Sequence, residues 1–485
     1  MAKEDELFTL VKSLSRSEKR YIKLHSRHDS SGANYLKLFD AVDAQEEYDE
    51  AAIKKQFRNE TFIKQLHVTK YYLRNLIMDA LRSFHGNISK DAELKEMLRN
   101  VEILYNKELY ALCETELKKS EQLADKYELY TGMYEVLAWK RKLKQALEPY
   151  SYHAFHDYIS RQEKALGLLE NNTAHWQSMI VNTWQMMGND APEGIKALKP
   201  GKAVTLEAKV LESNTRYLQY FGTGKGDKAV TELYQLLHLL EQYPHRLKEE
   251  PSPYVSTINN LVSYLIFSKR DEEALELIRK ARVVYETFSI TTEKKSMLKQ
   301  VLRTYNLELE IYRNRKEKSN LAFALETAQF IEANRNKIPK DYLLSFWFQL
   351  GHICFTNGQY DEALKWLNNI LNDKPGGARP DLQKHARMLN IIIHLEQKND
   401  FVLRYFVDST RRFIKKHSTL HTYEDVLLKM FAKLSNTPPG TYRKLYRDVY
   451  EELFAADSNS AIPDEVLDYI NYKEWLEVKC RLTKK

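Results

Sequence analysis

Hydrophobic positions along this chain recur at intervals of three and four residues, and no stretch keeps the two-residue alternation of a half-buried strand. Leu7, Phe8, Leu10, Val11 and Leu14 define the first such face. Ser15-Arg16-Ser17-Glu18 has capping-box spacing, in which the serine accepts from an early helical amide and the glutamate reaches back. A second helix is therefore expected, with Tyr21, Ile22 and Leu24 inward. After a loop at 28–33, Tyr35, Leu36, Leu38, Phe39 and Val42 mark a third helix, and Asp49 caps a short fourth carrying Ile53 and Phe57. A long fifth helix is expected over 61–84, with Phe62, Leu66, Tyr72, Leu73, Leu76, Ile77 and Leu81 on its buried side.

Beyond Asn87 the helices lengthen and the turns between them shorten. Breakers at Pro149, Pro192, Pro200, Gly222, Pro244, Pro339, Pro375 and Pro438 leave stretches that hold one or two helices each. The expected organisation is an N-terminal helical domain over 1–90, helical repeats over 91–437 and capping helices over 438–485. One repeat is clear at about 344–377. Trp347, Leu350, Gly351, Ala363, Leu367 and Pro375 stand at the offsets of the tetratricopeptide pattern, with Cys354 where that pattern usually has Tyr. Here the chain resembles the tetratricopeptide-repeat family.

Other segments echo it. Arg270-Asp271-Glu272-Glu273-Ala274 and Gly224-Lys225-Gly226-Asp227-Lys228-Ala229 each follow an apolar helix, and a fainter copy runs over 105–117. Ala229 to Ala274 is 45 residues and Ala274 to Ala363 is 89, about two such steps. The step exceeds the family's usual length of about 34 residues. The resemblance implies an all-α fold in which a right-handed α-solenoid of helix hairpins follows the N-terminal domain.

Composition agrees with helix. Of 485 residues only 15 are Gly and 12 Pro, too few for the turns of an all-β chain of this size. Cys113, Cys354 and Cys480 are far apart and odd in number, so no disulfide framework is expected, and Cys113 and Cys354 read as small buried hydrophobes. The chain opens with charge and no apolar run, so no signal peptide is expected. The longest apolar stretch, 343–355, is too short to span a bilayer. A cytoplasmic protein away from membranes is the reading.

The net charge of +7 is unevenly placed. Within 10–28, Lys12, Arg16, Lys19, Arg20, Lys23 and Arg27 stand against one acid, Glu18, a local charge of +5. That segment is the candidate patch for an anionic partner. The helix order of 35–84 allows a helix-turn-helix reading and hence DNA binding, against which stand the acids over 40–50 and the absence of a base-reading motif.

No catalytic, metal or cofactor motif emerges. The run at 222–227 fails the phosphate-loop pattern because Gly226 precedes Asp227, and it aligns with the inter-helix turns near Asp271 and Asp361. His153 and His156 share a helical face but lack a third ligand by spacing. The most regular polar feature is Asn214, Asn260 and Asn306, 46 residues apart, with His352 one further step on. Each lies in the first helix of its hairpin, which the resemblance places along a concave groove. A row of amides there suits an extended peptide, or else it stitches neighbouring helices. Counting from the alanines selects Asn259 in place of Asn260. The sequence thus points to a non-catalytic protein- or peptide-binding scaffold, with a DNA-binding, ligand-sensing regulator as the alternative; the oligomeric state is not legible.

Overall fold

The computed structural model describes residues 5–25, 32–86, 89–188, 200–287, 295–315, 320–374, 377–417, 419–436, 442–454 and 461–481. Helix dominates these residues and no strand occurs among them, as the hydrophobic spacing requires. Among them no helix is long and apolar enough to cross a membrane. The chain divides into two compact units, Met1–Gln219 and Tyr220–Lys485.

The first unit opens with α1 (Glu6–Ser13), α2 (Arg16–His25), α3 (Gly32–Ala44), α4 (Glu50–Gln56) and α5 (Leu66–Phe84) around a core of its own. Val11, Leu38, Phe39, Val42, Ile53, Leu73 and Ile77 are buried in it. Both halves of the capping box form: the Ser15 amide donates to Glu18 Oε2 at 2.6 Å, and the Glu18 amide donates to Ser15 Oγ at 3.3 Å. Three expectations are corrected. Leu24 and Tyr72 are 50% and 53% exposed. At about 100° per residue, Leu24 lies far round α2 from the buried Ile22, and Tyr72 beside rather than under Leu73. Residues Thr61–Gln65 form a 3₁₀ turn, so the long helix begins only at Leu66.

Lys70 ties this domain together. It pairs with Asp5 at 2.9 Å and Glu50 at 2.6 Å, and lies 4.8 Å from the centroid of the Tyr48 ring. Hydrogen bonds from Lys54 and Lys70 hold the Glu50 carboxyl down at about 2.

The rest of the unit comprises α6 (Lys90–Asn106), α7 (Tyr110–Lys126), α8 (Tyr130–Leu147), the 35-residue α9 (Tyr152–Met186) and α10 (Leu206–Gly222) up to Gln219. The second unit runs through α11 (Gly226–Glu241), α12 (Pro244–Glu249), α13 (Ser252–Phe267), α14 (Asp271–Thr287), α15 (Lys295–Arg315), α16 (Asn320–Asn334), α17 (Lys340–Thr356), α18 (Tyr360–Leu371), α19 (Pro380–Glu396), α20 (Asp400–His417) and α21 (Thr422–Leu434). It ends with α22 (Tyr442–Phe454), α23 (Asp464–Leu467) and α24 (Tyr472–Arg481). Contacts are almost all to the next helix or the next but one: α11, α13, α15, α17 and α19 pack on each other in series, and α14, α16 and α18 each touch the helices before and after them. Helices after Tyr442 share the core of α15–α21, with Tyr446, Leu453, Tyr472 and Leu476 buried in it.

A single turn makes these hairpins. At Glu108, Glu128, Gly224, Lys269, Gly358 and Lys398 the backbone enters the left-handed region, φ between 51° and 75°. At each, the next amide donates to the carbonyl five residues back: Leu109 to Leu104, Leu129 to Ala124, Lys225 to Tyr220, Arg270 to Leu265, Gln359 to Cys354 and Asn399 to His394, all at 2.8–3.0 Å. The left-handed residue's own amide donates three back in every case. This is the Schellman ending of a helix, which satisfies its last carbonyls and reverses the chain within three residues. Five residues past the left-handed position stand Cys113, Met133, Ala229, Ala274, Ala363 and Leu403, and all but Met133 are buried. The faint copy at 105–117 is therefore the same hairpin corner as those marked by the alanines.

Close approach explains Gly351. A Cβ there would lie 3.0 Å from the Leu367 side chain and 3.4 Å from the Ala363 carbonyl oxygen, both on α18. Gly351→Leu should therefore overpack the α17–α18 crossing and lower stability by roughly 1–3 kcal/mol in chemical denaturation; a variant that melts with the parent would show the crossing to be slack. The turns give a paired expectation. Gly358→Ala should cost about 1 kcal/mol, because an L side chain resists the left-handed region. Lys269→Gly should gain about 0.5 kcal/mol by relieving the same strain, less the extra freedom of the unfolded chain. Denaturant midpoints of the two variants should move in opposite directions.

Candidate functional site

The asparagines of the sequence reading are placed by their helices. Asn306, on α15, uses its side-chain oxygen inside the protein: Ser345 Oγ donates to it at 2.7 Å and Gln349 Nε2 at 2.8 Å, both from α17. Asn259, fully buried on α13, plays the corresponding part, donating to the Gln300 carbonyl and side chain and accepting from Thr304 Oγ1 on α15 at 2.9 Å. Asn260 and Asn214 are half-buried. The amide row thus includes bonds between successive first helices, one residue earlier than Asn260 on α13, where the alanine register had put it. His352 lies in the second unit's core, 9% exposed, between the rings of Phe348 and Phe355.

The basic segment is partly consumed within its own domain. Lys19 pairs with Asp43 at 2.6 Å, Lys23 with Asp40 at 2.6 Å, and Lys12 donates to the Asp43 carbonyl oxygen at 2.7 Å. Arg16 and Arg20 are exposed, and Arg27 lies outside the described residues. Two arginine-bearing sites escaped the sequence reading. Arg443, Arg447 and Arg481 gather beside Cys480 on α22 and α24, the thiol pushed up by burial.

The second is a polar cleft of about 320 Å³ in the second unit. Asn306, Glu310 and Arg313 line it from α15, at offsets of four and seven that share one helical face. Ser345, Phe348 and Gln349 line it from α17, Arg379 and Leu382 from the start of α19, and Asp468 and Tyr469 from the segment before α24. The Tyr469 ring stacks on His385 at 4.3 Å and meets Phe348 edge-on at 5.9 Å. Burial pushes the His385 imidazole down to about 3, so it is neutral there. Burial likewise raises the Glu310 carboxyl above its ordinary range and lowers the Arg313 guanidinium below its own. The shared face of Asn306, Glu310 and Arg313 was present in the sequence, but its significance depends on residues as distant as Tyr469.

Apolar exposure concentrates on α9. Ile159, Leu166, Trp176, Ile180 and Trp184 are each at least 42% exposed, while Gln162, Ala165, Asn172, His175 and Val181 are buried. Asn172 donates to Glu207 at 2.7 Å, as does Trp176 Nε1. Comparison with protein-family models and with curated proteins finds no match to this chain. Among the described residues no three His, Cys, Asp or Glu side chains gather as a metal site.

Asn306→Ala should remove two accepted hydrogen bonds between α15 and α17 and cost roughly 1–3 kcal/mol, since Ser345 Oγ loses its acceptor and Gln349 Nε2 keeps only the backbone carbonyl of residue 306. Asn260→Ala should change stability by less than about 0.5 kcal/mol, as substitutions at half-exposed positions do. Equal denaturation midpoints for the two variants would remove the distinction drawn between them.

Proposed function

We propose that this chain is a non-catalytic scaffold: a right-handed α-solenoid of tetratricopeptide-like hairpins that docks a protein partner, following an N-terminal helical domain. Support for the repeat reading comes from the recurring Schellman corner with a buried residue five positions on, and from the serial packing of α11, α13, α15, α17 and α19. A chain built this way buries its core only between neighbouring hairpins and leaves long surfaces open to partners.

The observation that carries the docking reading is the apolar stripe that α9 leaves exposed. A surface helix ordinarily turns apolar residues inward and polar residues outward. Along α9, Ile159, Leu166 and Ile180 fall on multiples of seven residues, with Trp176 and Trp184 flanking, and all are exposed. That heptad spacing, interrupted at Thr173, matches a partner that lays an apolar helix along the stripe. Trp is also among the residues that contribute most to protein interfaces.

The DNA-binding alternative has weaker support, since Asp40 and Asp43 already occupy Lys12, Lys19 and Lys23. An anionic backbone would have to displace those contacts.

Leu166→Glu combined with Ile180→Glu places two charges in the stripe without touching the buried side of α9. The parent chain, immobilised and exposed to lysate of its native host, should retain a defined protein that the double variant loses. Circular dichroism and melting temperature should stay unchanged. Loss of two central apolar contacts should weaken binding at least about tenfold. Identical retention by parent and variant would rule out the stripe as the docking surface, and self-association of the parent abolished by the variant would identify the partner as a second copy.

A further inference from the structure

The cleft between α15, α17, the start of α19 and residues 468–469 contains charge that its own walls leave unsatisfied. Arg313 is only 8% exposed, yet its Nε has no hydrogen-bond partner, and among the described residues no ion pair engages it. Gln349 is 4% exposed. Its Nε2 is spent on the carbonyl and side-chain oxygens of Asn306, which fixes the amide and leaves Oε1 without a donor. An arginine cannot shed its charge to escape burial, and a buried polar group without a partner is costly.

The remaining charges decide what fits. Arg379 is already balanced: it forks onto Asp381 through Nε at 3.1 and 3.2 Å and Nη2 at 2.7 Å, and Tyr469 donates to the same carboxylate at 3.3 Å. That leaves the Arg313 guanidinium facing two acids, Glu310 on its own helix and Asp468 on the C-terminal segment. A bare anion drawn to Arg313 would meet both acids. A bare cation drawn to the acids would meet Arg313. A neutral ligand would answer the unpaired guanidinium Nε only with an uncharged and weaker bond. A molecule that carries both charges a few ångströms apart satisfies both. The cavity volume lies at the small end of the range for ligand pockets, about 300–1,000 Å³, which suits a metabolite and excludes a folded partner. Phe348, Leu382 and Tyr469 supply an apolar wall beside the polar groups.

We propose that this cleft binds a free α-amino acid, with its carboxylate on Arg313, its ammonium toward Asp468 and Gln349 Oε1, and an apolar or aromatic side chain against Phe348 and Tyr469. The guanidinium fork matches a carboxylate in two parallel hydrogen bonds, and charge-assisted bonds of this kind are the strong ones. The site lies wholly within the second unit and does not depend on the α9 stripe.

The test uses the full chain and a panel of the common L-amino acids, read by thermal shift and then by calorimetric titration. At least one apolar or aromatic member should raise the melting temperature and bind. Its N-acetyl derivative, which lacks the ammonium, and its amide, which lacks the carboxylate, should each bind at least about tenfold more weakly, the loss expected for one charged hydrogen bond. Arg313→Gln should lose binding, as should Asp468→Asn; the second substitution lies at an exposed position and so keeps the test valid if the first variant fails to fold. The proposal is overturned if no amino acid in the panel binds the parent. It is overturned equally if the blocked derivatives bind as well as the free amino acid, or if a folded Asp468→Asn retains full affinity.

Discussion

A helix that must reverse within three residues has to send one of them into the left-handed region and return two amides to its last carbonyls. That constraint recurs at Glu108, Glu128, Gly224, Lys269, Gly358 and Lys398, and the rest of each hairpin follows from it. Because the corner fixes where the second helix starts, it also fixes which of its residues first faces the preceding helix. That residue lies five positions on, and at Cys113, Ala229, Ala274, Ala363 and Leu403 it is buried. Where it is alanine the partner helix can come close, and at α17 the approach is close enough that Gly351 has no room for a side chain beyond hydrogen. Four corners accept the strain of a non-glycine residue. Glu128 has a local compensation, since its carboxylate accepts the Leu206 amide at 3.0 Å and so caps the start of α10.

Corners set the hairpins; polar bonds between first helices set how one hairpin meets the next. An apolar interface alone tolerates sliding, because burial is nearly indifferent to register. An amide that must find Thr304 or Ser345 is not indifferent, since a shifted register leaves it unpaired in a low-dielectric setting. Asn259 and Asn306 do this on α13 and α15. In the first unit Asn172 accepts from Thr205 Oγ1 and donates to Glu207, and Asn182 accepts from Gln219 at 2.7 Å. The same requirement leads to the cleft. Holding the Asn306 oxygen for α17 fixes Gln349 with its own oxygen unanswered, so a residue that sets register also prepares a site.

Much of this was legible in the sequence, and the illegible parts have physical reasons. Gly224 and Gly358 advertised their turns, and the alanines five residues later gave the register. Glu128 and Lys398 gave no such sign, and Glu108 showed only through the faint copy at 105–117, because any residue can be forced left-handed when the packing on both sides demands it. Leu24 and Tyr72 were misplaced because hydrophobicity reports what can be buried and not which part of a helix finds a neighbour. On α9 three of the five buried residues, Gln162, Asn172 and His175, are polar, while Ile159, Leu166 and Ile180 lie outward. The cleft was beyond reach, since Arg313, Gln349 and Asp468 become neighbours only through the serial packing of α15, α17 and α19 and the return of the chain near its end.

That return gives the cleft a property its other walls lack. Asn306, Arg313 and Gln349 sit on helices whose positions are set by corners and register bonds. Asp468 and Tyr469 belong to a short segment held by Tyr469, which stacks on His385 and donates to Asp381 at 3.3 Å, by the buried Ile470, and beyond it by Trp475 and Lys479 reaching Glu396 at 2.8 and 2.6 Å. A ligand that bridges Arg313 and Asp468 therefore adds a bond between α15 and the C-terminal segment. By linkage, a ligand that binds only with this segment in place stabilises its docking. The order of ties is consistent with this. Glu396 sits at the end of α19, whose start carries Arg379 and Asp381, so the two ends of one helix anchor the segment and the cleft it closes.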